Sequence, residues 1–427
     1  MSAIIQLLQP LLQDYEQDDH LELLKAEEKL ATKLGDNFLS AVYRITVSGK
    51  RKNGSEYRGS FIRKIRLNEN QLTKQMRDDK MFENEAYFYN NIYPINGSFA
   101  PKPVLATVDQ IILEDLGDRE YVVLSRKDLL DFKHTDEVVK AMASMHAFYL
   151  SYKLNHPEEF AKLIAPIKEN VFPMDDNISP GRFYELGFDT AKKSLETIAD
   201  SSLQARRGLR FLRFFEKDLY NALRSMIDPS KNNSKYWTLT HGDLWNNNLM
   251  FLQDNHEEIL RVKFLDYQVI RHMSPATDFV YFVYSSCKPE VLDRVNELVE
   301  TYEKYFRHSL SSLNVSDEHL RFFSKKDWFL EEIEQAGLFG MAGALLVMHA
   351  LTLDDAEIEA LKNEQDRKLA SQDVNDNELI TSTVSLNSQR TERILRNLTN
   401  YLHHFGGQLS KCFGEWDQSD EEEKAKF

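Results

Sequence analysis

The sequence predicts an α+β fold, with a small antiparallel sheet early in the chain followed by a larger, mostly helical part. Three observations predict it. An Asn53-Gly54 pair separates two stretches of extended character, and both residues tolerate positive φ, the mark of a hairpin. Beyond about Gly117, apolar residues recur every three or four positions over long stretches. The 427 residues, 42% apolar and 11% aromatic, suffice for a large core in two or three units.

Residues 10–24 suit a helix, with Leu11, Leu12 and Tyr15 at helical spacing and Pro10 tolerated in the first turn. Extended segments follow at 40–47 and 57–67. In the second, Phe61, Arg63, Ile65 and Leu67 alternate with Ile62, Lys64 and Arg66. A helix over 80–93 carries Phe82, Ala86, Tyr89 and Tyr93 on one stripe and stops at Pro94. Residues 104–107 and 110–114 read as short strands. Helical spacing then takes over at Val138, Met142, Met145 and Tyr149, at Val291, Val295, Leu298 and Tyr302, and through 331–353. A strand-rich island at 237–269 interrupts it. The polar stretch 363–390 reads as a long loop, and the charged stretch 417–426 as a solvated tail. The chain thus divides into 1–117, 118–412 and a tail at 413–427.

Charge narrows the function classes. Lys+Arg number 53 against 68 Asp+Glu, a net charge of −15. This acidic balance disfavours binding to nucleic acid or to an anionic membrane surface, both of which need a basic face. Two cysteines, Cys287 and Cys412, cannot build a disulfide framework, which points to a reducing, cytoplasmic setting. Gln6, Gln9 and Pro10 break any signal-like apolar run. The longest apolar stretch, 336–348, falls short of the roughly 20 residues a membrane span needs. No feature calls for an obligate protein partner.

The island holds the most informative string, Thr240-His241-Gly242-Asp243-Leu244-Trp245-Asn246-Asn247-Asn248-Leu249, followed later by Phe264-Leu265-Asp266-Tyr267-Gln268. It places an acid on a tight loop, an amide five positions on, and a second acid at the end of an apolar strand. Phosphoryl transfer from a nucleotide needs this combination. One carboxylate orients the attacking hydroxyl, while an amide oxygen and a second carboxylate hold Mg²⁺ against the phosphates. A plain turn at Gly242-Asp243 and a polar loop at 246–248 explain each residue singly. The ordered set favours the chemistry.

His-Gly-Asp-x-Trp-x-x-Asn followed by Leu-Asp-Tyr-Gln resembles the choline-kinase and aminoglycoside-phosphotransferase branch of the protein-kinase-like fold. Within it, the Trp after His-Gly-Asp and Gln268 where protein kinases place Gly make the chain most similar to the insect ecdysteroid-kinase-like (CHK kinase-like) family. The resemblance runs from about Gly35 past Tyr302. It implies a two-lobed fold, a nucleotide-binding first lobe, and use of ATP and Mg²⁺. It implies that Asp243 is the catalytic base, that Asn248 and Asp266 bind metal, and that His241 supports the loop.

The resemblance also implies parts in the first lobe. A phosphate-covering loop belongs at Gly35-Asp36-Asn37-Phe38-Leu39-Ser40, where Gly35, Asp36, Asn37 and Ser40 are the candidates. Lys33 stands where the family often has a second glycine, and a helix C-cap accounts for Gly35 equally well. Lys64 matches the lysine that neutralises the α- and β-phosphates, although Arg63 and Arg66 also fit a solvated basic strand. Glu85 lies near the buried stripe of its helix, where an unpaired carboxylate is costly, and an ion pair with Lys64 would relieve it. Leu113-Glu114-Asp115-Leu116-Gly117 resembles the hinge whose backbone, at Glu114 and Leu116, meets the adenine edge. His146 and Asp278 read as structural.

A protein substrate is disfavoured, because only twelve positions separate Asp266 from Asp278 and no Ala-Pro-Glu-type segment follows. A small-molecule alcohol is the better acceptor. The large apolar residues Phe322, Phe323, Trp328, Phe329, Leu338, Phe339, Met341 and Met348 suit a lipophilic, ecdysteroid-like one. Two alternatives stay open: a choline- or ethanolamine-type kinase using Tyr267, Tyr281 and Tyr284 around the cation, and a non-catalytic nucleotide-binding protein of the same fold.

Overall fold

The computed structural model describes residues 2–31, 40–68, 71–124, 129–173, 180–231, 234–323, 325, 327–352 and 387–417. Helix α1 (Ala3–Glu16) is capped by Ser2, whose hydroxyl accepts from the Ile5 N–H, and ends at Gln17 in the left-handed region at φ 54°. The helix expected over 10–24 therefore lies further toward the N-terminus, and Glu22–Leu30 forms strand β1 instead. The Gln9 side chain decides this locally. Its Oε1 accepts from the Leu23 N–H at 2.8 Å and its Nε2 donates to the Leu21 carbonyl, pinning the incoming strand to the helix.

Strands β2 (Ser40–Lys50), β3 (Glu56–Arg66), β4 (Pro103–Ala106) and β5 (Gln110–Glu114) complete an antiparallel sheet of order β1-β2-β3-β5-β4. The Asn53-Gly54 hairpin closes with the Arg51 N–H donating to the Ser55 carbonyl and Gly54 at φ +81°. Strand alternation sends Ile45, Val47, Tyr57, Phe61 and Ile112 to one face, where Ile5, Leu8 and Leu12 of α1 cover them. Lys64, Ser60 and Arg44 go to the other face.

Helices α2 (Gln71–Met76) and α3 (Asp78–Tyr87) follow β3, and α3 widens into a π turn over Phe88–Ile92. Phe82, Ala86, Phe88, Tyr89 and Ile92 join the large core. Phe88 stacks on Tyr267 with ring centres 3.7 Å apart, so α3 is fastened to the segment that follows Asp266.

The rest is mostly helical: after β6 (Tyr121–Val122) come α4 (Phe132–Asn155), α5 (Pro157–Ile164), α6 (Phe183–Glu196), α7 (Leu203–Glu216) and α8 (Leu219–Ile227). The island supplies β7 (Thr238–Thr240), β8 (Leu249–Gln253), β9 (Ile259–Phe264) and β10 (Arg271–Met273). Strand β10 pairs with β7, and β6, β8 and β9 make a second small sheet. Helices α9 (Ala276–Ser286), α10 (Pro289–Leu292), α11 (Val295–Ser312), α12 (Asp317–Phe322), α13 (Trp328–Leu351) and α14 (Ser388–Phe413) close the chain. No helix among the described residues is long and apolar enough to cross a membrane.

Two expectations at the C-terminal end change. Residues 388–390 open α14 rather than belonging to a loop, and the buried Arg390 donates to the Thr352 hydroxyl at 2.7 Å. Asp417 is buried, not a solvated tail residue, because Arg207 and Arg210 donate to its two oxygens at 2.9 and 3.0 Å. Residues 363–386 and 418–426 of those stretches lie outside the described residues.

Candidate active site

The catalytic-loop string leaves β7 at Thr240 and turns at Gly242, whose φ is +83°. A Cβ there would stand 2.2 Å from the Val269 carbonyl oxygen, so the tight approach of loop to segment admits glycine alone. Asp278, in the first turn of α9, anchors the loop from below. Its Oδ2 accepts from the His241 N–H at 2.7 Å and its Oδ1 from the Gly242 N–H at 2.9 Å. His146 on α4 stands 3.1 Å from Asp278 Oδ2 and 2.9 Å from the Tyr302 hydroxyl on α11. Burial alone would raise the Asp278 carboxyl. The His146 bond, the nearby imidazoles and the loop N–H outweigh it and hold the carboxyl below its ordinary value.

His241 is a loop support. Its Nε2 lies 2.9 Å from the Leu265 carbonyl, and its Nδ1 accepts from the Asp243 N–H at 3.3 Å. That pattern fixes the neutral tautomer with the proton on Nε2, and burial pushes its basicity down further. It ties the loop of Asp243 to the strand end that presents Asp266.

Asp243 has a donor on each oxygen. The Tyr281 hydroxyl donates to Oδ1 at 2.8 Å, and Asn248 Nδ2 donates to Oδ2 at 3.1 Å and to the Asp243 carbonyl at 2.8 Å. Burial, followed by the Asp266 charge, lifts its pKa to about 7, against the pull of bonds from Tyr281, Asn248 and Trp245. Asp266 follows β9 in the left-handed region at φ 65°. Its Oδ1 accepts from Lys64 Nζ at 2.6 Å, and the same ammonium donates to Glu85 Oε2 at 2.7 Å. Burial pulls Lys64 down, but the Asp266 and Glu85 carboxylates outweigh it and keep the ammonium charged well above the ordinary lysine value. Burial raises Glu85, and the Lys64 charge counters it.

Lys64 reaches across 202 positions to Asp266 while holding Glu85, Asn248 holds Asp243, and the Leu265 N–H donates to the Asn248 carbonyl at 2.9 Å, which sets the two groups side by side. Glu114 and Leu116 sit apart from them, where β5 runs into a short helical turn. The Glu114 carboxylate accepts from the Lys102 N–H at 2.7 Å and pairs with Arg119 at 2.8 Å, so its side chain is structural. Ser40 is buried at the start of β2, opposite Arg66. Gly35, Asp36 and Asn37 lie outside the described residues.

On the sheet face that carries Lys64, a cavity of about 650 Å³ opens, lined by Arg44, Thr46, Ser60, Asp115 and Gly117 among others. Buried Asp115 organises it. It accepts from Arg44 Nε and the Ser60 hydroxyl, both at 2.7 Å, and from the Gly117 N–H at 3.0 Å.

A model of the ecdysteroid kinase-like family matches residues 34–315. The chain belongs to the ecdysteroid kinase-like family. No curated protein matches it. Family membership makes the fold kinase-like, and it makes a kinase-like phosphotransferase the coarse functional class. In this ecdysteroid kinase-like chain the matched span holds the whole polar cluster, while α1, β1, α12, α13 and α14 fall outside it.

The oxygens present in this ecdysteroid kinase-like site fit a magnesium ion. Asn248 spends its amide N–H groups on Asp243, which leaves its Oδ1 without a hydrogen bond among the described residues. Asp266 likewise spends Oδ1 on Lys64 and leaves Oδ2 without one. A carboxylate and a carboxamide oxygen are hard donors, and few protein ligands suffice for an ion that keeps its waters. Among the described residues no three His, Cys, Asp or Glu side chains form a metal-binding group, so any ion here would rest on few protein ligands.

Sequence reasoning did not single out Tyr281 as the partner of Asp243, nor Arg44 and Asp115 as an organised pair. The signal for Tyr281 was its place three residues after Asp278, on the same helix face. Tyr267 and Tyr284 are core residues, stacked on Phe88 and bonded to Asn400 respectively. Of the large apolar residues expected to line an acceptor site, the described ones are buried in the core, and Phe339 reaches the cavity wall beside Gly242.

Proposed function

We propose that the chain is an ATP- and Mg²⁺-dependent phosphotransferase acting on a hydroxyl of a small lipophilic, ecdysteroid-like alcohol. Residues 1–117 serve nucleotide binding, 118–412 carry the catalytic loop, metal site and acceptor pocket, and the setting is cytoplasmic. The observation that carries the reading is the convergence of Lys64, Asp266, Asn248 and Asp243 from distant parts of the chain. Asn248 Oδ1 and Asp266 Oδ2 would hold Mg²⁺, which supplies neutralisation of phosphate charge when bound. Lys64, kept charged and aimed by Glu85, neutralises the phosphates from the sheet side.

Asp243 orients the acceptor hydroxyl and takes its proton. A new bond forms from that oxygen to the γ-phosphorus as the bond to the ADP oxygen breaks, and ADP leaves with the electron pair. The hydrogen bonds from Tyr281 and Asn248 fix the carboxylate plane, so the hydroxyl meets an acceptor already positioned. Two of the three tyrosines a choline site would need are occupied in the core, which leaves the lipophilic alcohol better supported.

Transfer from γ-labelled ATP to a panel of steroid, amino-alcohol and sugar hydroxyls tests the reading. Asp243→Asn should abolish transfer while leaving ATP affinity within about twofold, because it removes a transition-state role rather than a phosphate contact. Equal turnover in that variant would overturn the assignment. Nucleotide binding without transfer to any acceptor would leave a nucleotide-binding protein.

A further inference from the structure

Asn84 stands one position before Glu85 on α3 and is 1% exposed. Its amide faces the main chain that follows α5. Nδ2 donates to the Lys168 carbonyl at 2.8 Å, and Oδ1 accepts from the Lys168 N–H at 2.8 Å. The same Nδ2 reaches the Gln268 carbonyl at 3.4 Å. Gln268 lies two positions after Asp266, and its carbonyl also accepts from Asn170 Nδ2 at 2.9 Å. The Lys168 N–H can meet only an oxygen and the two carbonyls only a nitrogen, which fixes the orientation of the amide. One buried side chain thus ties together the turn that carries Glu85, the segment after α5 and the segment that carries Asp266.

The chemistry of the position admits little else. Aspartate has the same shape but would set an oxygen against two carbonyl oxygens, and leucine would leave three main-chain groups unmet in a buried place. The geometry of the site explains why such a tie is needed. Lys64 offers one ammonium to two carboxylates from different elements, Glu85 Oε2 at 2.7 Å and Asp266 Oδ1 at 2.6 Å. Two carboxylates this close repel each other, so their spacing has to be imposed by the elements that carry them. Two more contacts act in the same sense. The Tyr87 hydroxyl donates to the Leu163 carbonyl at 2.8 Å, and Phe88 stacks on Tyr267. Phe82 and Ala86 of α3 pack in the large core and not in the cluster under α1.

Resting on the phosphotransferase reading, we propose that Asn84 is a positioning residue for the nucleotide site. It registers α3 against the segment of Asp266, so that Glu85 meets Lys64 before any nucleotide arrives. Without this tie Glu85 drifts and Lys64 is left to Asp266 alone. The carboxylate that should take Mg²⁺ then stays bound to the ammonium. The site is therefore assembled at rest, and no swing of α3 is needed to complete it.

The probe is the non-hydrolysable β,γ-imido analogue of ATP with Mg²⁺, its Kd read by calorimetry on the full chain. Asn84→Asp should raise that Kd about tenfold. In a Glu85→Gln background, whose own affinity is already lowered, the same change should alter Kd by less than about twofold, because its effect passes through Glu85. A general loosening of the fold would instead raise Kd alike in both backgrounds. Hydrogen exchange of the wild type without nucleotide gives a second measurement should Asn84→Asp fail to fold. The amides of α3 should then exchange as slowly as those of the core helix α4. Three results overturn the proposal: an unchanged Kd in Asn84→Asp, a tenfold rise that persists beside Glu85→Gln, or α3 amides that exchange about tenfold faster than those of α4 until nucleotide is added. Any of these with nucleotide bound by the wild type removes the role of Asn84 alone. A wild type that binds no nucleotide removes the phosphotransferase reading as well.

Discussion

Ionisable side chains near the catalytic loop keep their charge state through partners from distant elements, and burial decides how strongly each is held. Beneath β7, Lys153 Nζ donates to the Trp237 carbonyl at 2.7 Å and stands 3.3 Å from His272 Nε2. Burial, then the Lys153 charge, pushes His272 down to about 4. An exposed histidine protonates near 6.5, so between that pH and about 4 the unfolded chain binds a proton that the folded chain refuses. His272 thus adds stability above pH 6.5 that is lost as pH falls toward 4, up to roughly 3 kcal/mol. Urea denaturation at pH 7 and pH 4.5 should show His272→Gln losing less stability on acidification than the wild type. Equal losses would refute the assignment. The Lys64–Glu85 pair was legible in the sequence, because a carboxylate beside a buried stripe needs a cation and one stood on the neighbouring strand. Tyr281 was not, because a tyrosine in the apolar run of α9 reads as core until its hydroxyl is seen on Asp243.

Helix α1 and the sheet show how alternation sorts roles. Ile45, Val47, Tyr57 and Phe61 of β2 and β3 bury against α1, while Arg44, Thr46, Ser48, Arg58 and Ser60 line the cavity, so the same two strands serve stability and the open face at once. Leu8, fully buried in this contact, has no polar task. Leu8→Ala should cost about 3 kcal/mol by chemical denaturation while leaving KM for ATP unchanged, since the cavity it opens lies on the far face. A loss under about 1 kcal/mol would mean that the helix is not part of the cooperative unit. The hairpin and the strand that carries Lys64 were readable from Asn53-Gly54 and from period-two alternation. Strand β1 was not, because Leu21 and Leu23 continue the apolar series of the helix before them, and the clamp by Gln9 that separates the two is a tertiary contact.

Across the whole molecule, the large core runs from α3 through the helices of the C-terminal part, while α1 and the outer sheet face form a separate cluster. The polar cluster lies on the sheet face away from α1, where Lys64 of β3 bonds both Glu85 of α3 and Asp266 just past β9. A ligand gripping these elements should stabilise the whole. Mg·ATP at ~100-fold over its Kd should add roughly 2.7 kcal/mol, seen as a rise in Tm that Asp266→Ala reduces. No rise in the wild type would remove nucleotide binding altogether. The kinase-like α+β arrangement, sheet first and helices after, was legible from the motifs and from the long helical periodicities of the later chain. The burial of Asp417 was not, because its partners Arg207 and Arg210 lie two hundred positions away.

The ammonium of Lys64 also sets a timetable for synthesis. Glu85 emerges 21 positions after it, so a nascent chain holds a matched pair almost at once. Asp266 emerges 202 positions after Lys64, which at roughly 5–20 residues per second is about ten to forty seconds of translation. Until then Lys64 has only Glu85 available to it, and the site is complete once both carboxylates have been made.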